Sequence, residues 1–222
     1  MARFTPKFIT FDCYGTLTNY DMAGAATQIY ASQMTKAKLD AFLFSFRGYR
    51  LDETMSAWRP KKEVVCNALE RTCKKHKIEY RREDGEAIYN AIPTWGPHPD
   101  VTEGLSKIAD KIPLVILSNA APDQIIQSAA LHQVAYHKLL TAEDAQAYKP
   151  RQRAFEYMLD VLDCDPADIL HVSSSFRYDL MTCYDMGIRN KVWVNRGHEP
   201  ANPFYEYAEI ADTRGLPALV GM

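Results

Sequence analysis

The apolar positions of the chain change rhythm twice. Phe8-Ile-Thr-Phe11 is a short, nearly continuous apolar run that stops at Asp12 and gives way to Tyr14-Gly15-Thr16, the pattern of a buried strand and its exit turn. From residue 21 to residue 90 no such run occurs. Apolar side chains recur there at steps of three and four, as in Leu39, Phe42, Leu43, Phe46 and Tyr49. That period predicts helices over 25–34, 36–50, 62–76 and 82–91, with Pro60 separating two of them. Ile92-Pro-Thr-Trp-Gly-Pro-His-Pro-Asp100 is too rich in proline for either element and reads as a return linker. Beyond it short apolar runs reappear and alternate with helical stretches. Strands are predicted over 113–117, 139–141, 169–172 and 192–194, and helices over 101–109, 124–131, 151–162, 177–186 and 205–210. Runs that are apolar on both faces belong to a parallel sheet covered by helices on both sides. The predicted fold class is α/β, a doubly wound parallel sheet with a Rossmann-like core from residues 1–18 and 92–222, interrupted by a helical insert over 19–91.

Composition narrows the partners. The 222 residues are 47% hydrophobic, enough for a sizeable core, and 26 basic against 28 acidic residues leave a net charge of −2. That balance gives no electrostatic case for nucleic acid or an anionic membrane, so the expected partner is a small molecule. The densest basic stretch, Arg71 to Arg82, is interrupted by Glu79 and followed by Glu83 and Asp84, as on a solvated helix face. Five scattered cysteines without a CxxC pair argue against a disulfide framework and against a zinc site. The apolar run near the N-terminus is too short for a signal peptide, and no stretch approaches the ~18 apolar residues of a membrane span. A reducing, cytoplasmic setting is the expectation.

In a doubly wound sheet the residues just past each strand gather on one edge. Asp12 follows the first strand, with Gly15 allowing close backbone approach to a small ligand. Ser118 and Asn119 follow the second, Tyr148-Lys149-Pro150 the third, and Ser173-Ser174-Ser175-Phe176-Arg177-Tyr178-Asp179 the fourth. A lysine beside Asp12 would keep that carboxylate ionised in a partly desolvated site. No cofactor is expected.

These pieces resemble the haloacid dehalogenase superfamily, and within it the L-2-haloacid dehalogenases. The resemblance rests on FDCYGTL (residues 11–17), LSN (117–119), YKP (148–150) and VSSSFRYD (172–179), in that order along the chain. It implies that the insert is a helical cap that closes over the strand ends, and that the protein forms a homodimer. Tyr14 points to the dehalogenase branch, because the superfamily's phosphatases carry an aspartate there as general acid. Ser173 and Ser174 stand where those phosphatases place the first of their Mg²⁺-binding carboxylates, so the resemblance implies that no metal is required. The halide-accepting cap arginine aligns with Arg47 in Phe46-Arg47-Gly48-Tyr49-Arg50-Leu51-Asp52, with Arg50 and Arg59 as alternatives. Two departures stand out: the loop after the fourth strand lacks the family's asparagine and reaches Asp179 one residue late, and Phe155 replaces a tyrosine.

The resemblance implies hydrolysis of a short 2-haloalkanoic acid through an ester on Asp12. Thr16 and Lys149 would hold Asp12, Asp179 would handle the water, and Arg47 with Asn119 would take the halide. Cys13, Tyr14, Ser118, Ser174 and Ser175 complete the expected substrate-binding set. The alternatives are displacement of an amine, such as opening of azetidine-2-carboxylate, and a phosphatase.

Overall fold

The computed structural model describes residues 5–222. It divides into two compact units, one formed by the chain up to Asn19 together with Gly96–Met222, the other by Tyr20–Trp95. The expected return boundary at 91/92 therefore falls later, at Trp95. The reason is local: helix α4 (Arg82–Ala91) runs straight into a single 3-10 turn at Ile92–Thr94, and the proline-rich linker begins only after it.

The first unit is built on a six-stranded, wholly parallel sheet: β1 (Phe8–Phe11), β2 (Leu114–Ser118), β3 (Lys138–Thr141), β4 (Ile169–Ser173), β5 (Lys191–Val194) and β6 (Ala208–Ile210), in the order β3-β2-β1-β4-β5-β6. Successive side chains on a strand face opposite sides. On β2, Leu114 and Ile116 join Ile9, Phe11, Val172 and Val194 in one apolar cluster, while Val115 and Leu117 join Ile169, Phe155 and Met158 in another. Two cores, one on each face, are what a continuous apolar strand requires. Full burial of each such side chain contributes about 1.5–3 kcal/mol, so truncating Ile116 to alanine would cost about 2–5 kcal/mol.

Helices α5 (Val101–Ser106), α6 (Pro122–Leu131), α7 (Ala142–Ala145), α8 (Gln152–Leu162), α9 (Met181–Asp185) and α10 (Leu216–Leu219) complete this unit. Helix α8 shows why they pack as they do: Ala154, Phe155, Met158 and Leu162 are buried on one stripe at helical spacing. Pro122 starts α6 at its first turn, where a missing N–H is harmless.

Two expectations are corrected by the structure. Residues 205–210 do not form a helix. A 3-10 turn at Pro203–Tyr205 ends at Glu206 in the left-handed region (φ 49°), and Ala208–Ile210 then pairs in parallel with β5 as an edge strand. The helix expected over 177–186 begins instead as a π turn at Phe176–Leu180 before α9. A widened turn lodges an extra residue without unwinding the helix after it, and Asp179 lies within it.

The second unit contains α1 (Met22–Tyr30), α2 (Lys36–Met55), α3 (Lys61–His76) and α4. Tyr30 and Phe42 pack with ring centroids 4.8 Å apart, and the Tyr30 hydroxyl donates to Asp84 at 3.0 Å. Among the described residues no helix is long and apolar enough to cross a membrane.

Candidate active site

Strand β1 lies between β2 and β4, where the strand order reverses and a crevice opens at the C-terminal edge. Asp12 is the first residue past β1, and its backbone N–H donates to Val172 O at 3.0 Å, so the carboxylate leaves a paired and rigid position. Gly15, at φ +93°, makes the sharp turn behind it in a conformation that disfavours a side chain. The turn brings Thr16 back, and its hydroxyl donates to Asp12 Oδ2 at 2.7 Å.

Lys149 enters from beyond β3. Its backbone is gripped by Asn119, whose Oδ1 accepts from Lys149 N at 2.8 Å and whose Nδ2 donates to Lys149 O at 2.9 Å. The ammonium then lies between two carboxylates, 2.9 Å from Asp12 Oδ1 and 2.7 Å from Asp179 Oδ1. Asp179 also accepts from Ser173 Oγ at 3.0 Å and from His171 Nε2 at 3.0 Å. Lys149 is 1% exposed, Asp179 0% and Asp12 8%, so the nucleophile candidate alone retains a window to the outside.

Burial sets the electrostatics. It pushes the Asp12 carboxyl above the ordinary carboxylate range; Lys149 opposes the rise and the neighbouring Asp179 charge adds to it. Burial acts the same way on Asp179, but there Lys149 and His171 win and hold the carboxyl below its ordinary value. Burial disfavours the Lys149 charge, yet the two carboxylates raise its pKa above that of a free lysine. The result is one firmly held anion, one cation, and one more basic carboxylate at the opening.

The remaining candidates divide by what their side chains touch. The Ser118 hydroxyl is buried and has no hydrogen-bond partner, which leaves it open to a ligand at the end of β2. The Tyr14 hydroxyl lies 3.0 Å from Ser128 Oγ. The side chains of three further substrate-binding candidates are engaged within the protein. The Cys13 thiol is packed in the apolar core with its pKa pushed up to about 12 by burial, so it is neither a thiolate nor a surface group. Ser174 donates to Gly15 O at 3.0 Å, and its N–H donates to Thr16 Oγ1 at 2.9 Å. Ser175 donates to Glu199 Oε1 at 2.9 Å and accepts from Tyr178 N at 3.2 Å. Both serines tie loops together.

In the second unit Arg47 is exposed on α2. Arg50 is half-buried, donates to Tyr20 Oη at 2.8 Å and stacks over Phe46 at 5.0 Å. Arg59 is exposed, with Nη1 donating to Ser56 Oγ at 3.1 Å.

Sequence reasoning missed several residues. His171 was hidden inside an apolar strand. Arg196 and Glu199 lie just past β5, at a strand end like the others. Arg196 makes a fork to Asp100 at 2.7 and 2.8 Å and donates twice to Thr16 O at 3.2 and 3.0 Å. Asp100 in turn accepts from the Thr213 N–H at 2.8 Å. Glu199 accepts from Ser175 Oγ and from Phe176 N, both at 2.9 Å. Among the described residues no three His, Cys, Asp or Glu side chains gather as a metal site.

The arrangement is that of a desolvated carboxylate with a second carboxylate behind it, bridged by one ammonium. A family model described as haloacid dehalogenase-like hydrolase matches residues 6–186. The chain is 26% identical over 211 residues to (S)-2-haloacid dehalogenase 4A of Burkholderia cepacia, covering 90% of this chain and 87% of that protein. Among solved structures it is similar to a dehalogenase in an intermediate complex, with TM-score 0.83, 21% identity and all of both chains covered. It is also similar to the L-2-haloacid dehalogenase of Xanthobacter autotrophicus with chloropropionic acid covalently bound, with TM-score 0.79, 20% identity and 98% of this chain and 100% of that one covered. A match over most of the chain places it plainly: the protein belongs to the haloacid dehalogenase-like hydrolases.

Proposed function

We propose that this protein hydrolyses short 2-haloalkanoic acids to 2-hydroxy acids through a transient ester on Asp12, without a metal ion. The observation that carries this reading is the state of Asp12: buried, basic for a carboxylate, pinned by Lys149 and Thr16, with a phenol rather than an acid at position 14. A halide leaves as a stable anion and needs no proton, so the missing acid fits carbon–halogen chemistry. The relatives named dehalogenases support the same substrate class.

Asp12 attacks C2 from behind the carbon–halogen bond, and the bonding pair departs with the halide. The carboxylate of the substrate is assigned to the Ser118 hydroxyl and to the Cys13 N–H, for which no described residue is an acceptor. Arg47, together with the second Nδ2 hydrogen of Asn119, is assigned to the departing halide. Water then adds to Asp12 Cγ, passing one proton to Asp179. The acyl C–O bond breaks, the product oxygen takes a proton, and Asp12 is left as a carboxylate with one net proton released. The Lys149 ammonium lies between Asp12 and Asp179 and offsets one of their two negative charges, the place a metal ion would otherwise take.

Single turnover in H₂¹⁸O tests the reading: the label is expected on Asp12, and label found directly in the hydroxy acid rules the ester out. Halide release from chloroacetate and 2-chloropropionate should survive EDTA, vanish in Asp12→Asn, and fall sharply in Arg47→Ala. The cytoplasmic setting and a homodimer belong to the same proposal. Sedimentation of the purified chain decides the second.

A further inference from the structure

His171 sits in the middle of β4 between Leu170 and Val172, where the strand pattern calls for an apolar side chain, and it is fully buried. The ring is engaged at both nitrogens. Nε2 lies 3.0 Å from Asp179 Oδ1, and Nδ1 lies 2.8 Å from the hydroxyl of Thr10 on the neighbouring strand. Phe155 packs against the ring at 5.4 Å between centroids. An ionised carboxylate has no proton to give, so Nε2 must carry the hydrogen. A Thr10 hydroxyl that donates to Nδ1 makes the ring the neutral tautomer, whereas one that accepts there leaves an imidazolium, and the proposal takes the first. With Lys149 and His171 both on Oδ1, that oxygen has its two donors, whereas Oδ2 accepts only from Ser173. The one open lone pair of Asp179 is therefore on Oδ2.

We propose that His171, set by Thr10, is a positioning residue for the second chemical step: by filling Oδ1 it leaves Oδ2 as the oxygen that takes the proton from water. This rests on the ester reading above. His171 makes no hydrogen bond to Asp12, Lys149 or Thr16 and acts on the site through Asp179 alone. Hydrolysis of the ester, in which water loses a proton to Asp179 as its oxygen bonds to Asp12 Cγ, is the step it governs.

The two steps separate in the kinetics, because halide leaves in the first and hydroxy acid in the second. In His171→Phe, halide release should begin with a burst of about one halide per active site and settle to a steady rate about tenfold or more below the wild type. KM should fall with kcat, so that kcat/KM stays within about twofold. Thr10→Val, which removes only the hydroxyl, should shift kcat the same way and serves where the first variant does not fold. An unchanged kcat in both variants, or a parallel loss of kcat/KM without a burst, overturns the proposal. Nitrogen-15 shifts of the wild-type ring supply an arm that needs no substrate: Nε2 protonated and Nδ1 bare supports the assignment, while the opposite tautomer or a resting imidazolium defeats it. Wild-type enzyme that releases no halide would defeat the function instead and leave the ring assignment to the spectrum.

Discussion

Asn119 and Lys149 exchange two hydrogen bonds, amide to carbonyl and N–H to amide oxygen, across thirty residues of sequence. The bonds fix the Lys149 backbone, and so the point from which its ammonium reaches Asp12. Asn119→Ala is expected to leave these backbone groups without partners at a cost of about 1–3 kcal/mol. Urea unfolding gives that number, and the same variant should lose halide release by more than its loss of folded protein explains.

Lys149 is the only lysine or arginine bonded to either buried carboxylate among the described residues. Lys149→Met removes it while keeping an unbranched apolar side chain, and leaves Asp12 and Asp179 facing one another unpaired. A loss of about 3–5 kcal/mol is expected at neutral pH. Because protonating one carboxylate relieves the repulsion, the deficit should shrink as the pH is lowered, which unfolding at a series of pH values will register.

The raised pKa of Asp12 has a direct kinetic sign. A protonated carboxyl does not attack carbon, so first-turnover halide release should fall with decreasing pH through a midpoint above the ordinary carboxylate value of 3.8. Stability follows the other carboxylate. Asp179 is held below its ordinary value, so its contribution is present above that value and is lost only as pH falls through the depressed one. Activity should therefore fail on acidification before this ion pair does.

His132 predicts a separate acid sensitivity. It is fully buried between Thr18 Oγ1 at 2.9 Å and Tyr136 Oη at 2.8 Å, and burial lowers its pKa from 6.5 to about 4. Between those pH values the unfolded chain binds a proton that the folded one refuses. Stability should fall by about 3 kcal/mol from this group as pH drops across that window. His132→Gln should flatten the slope, read from urea midpoints at pH 7 and pH 5.

What the sequence disclosed was whatever depends on neighbours in the chain. The apolar runs at β1, β2 and β4 and the stripe on α8 are local patterns, and the residues that end those strands were found because a parallel sheet brings its exits to one edge. Thr10 and His171 are 161 residues apart, and Thr16 and Ser174 are 158 apart. Whether a serine faces a ligand or another loop is settled by such distant partners, and no periodicity encodes it. Residues 205–210 went astray for a related reason: six residues are too few for a helical period to declare itself, and their pairing with β5 is again non-local.

The fork from Arg196 to Asp100 and on to Thr213 has a mechanical consequence. Four residues spread from position 16 to position 213 form one taut line of donors and acceptors ending at the Thr16 carbonyl, in the turn that follows Asp12. A disturbance near the carboxyl terminus, far from any reacting atom in sequence, would travel along it and arrive as a misplaced oxygen at Asp12.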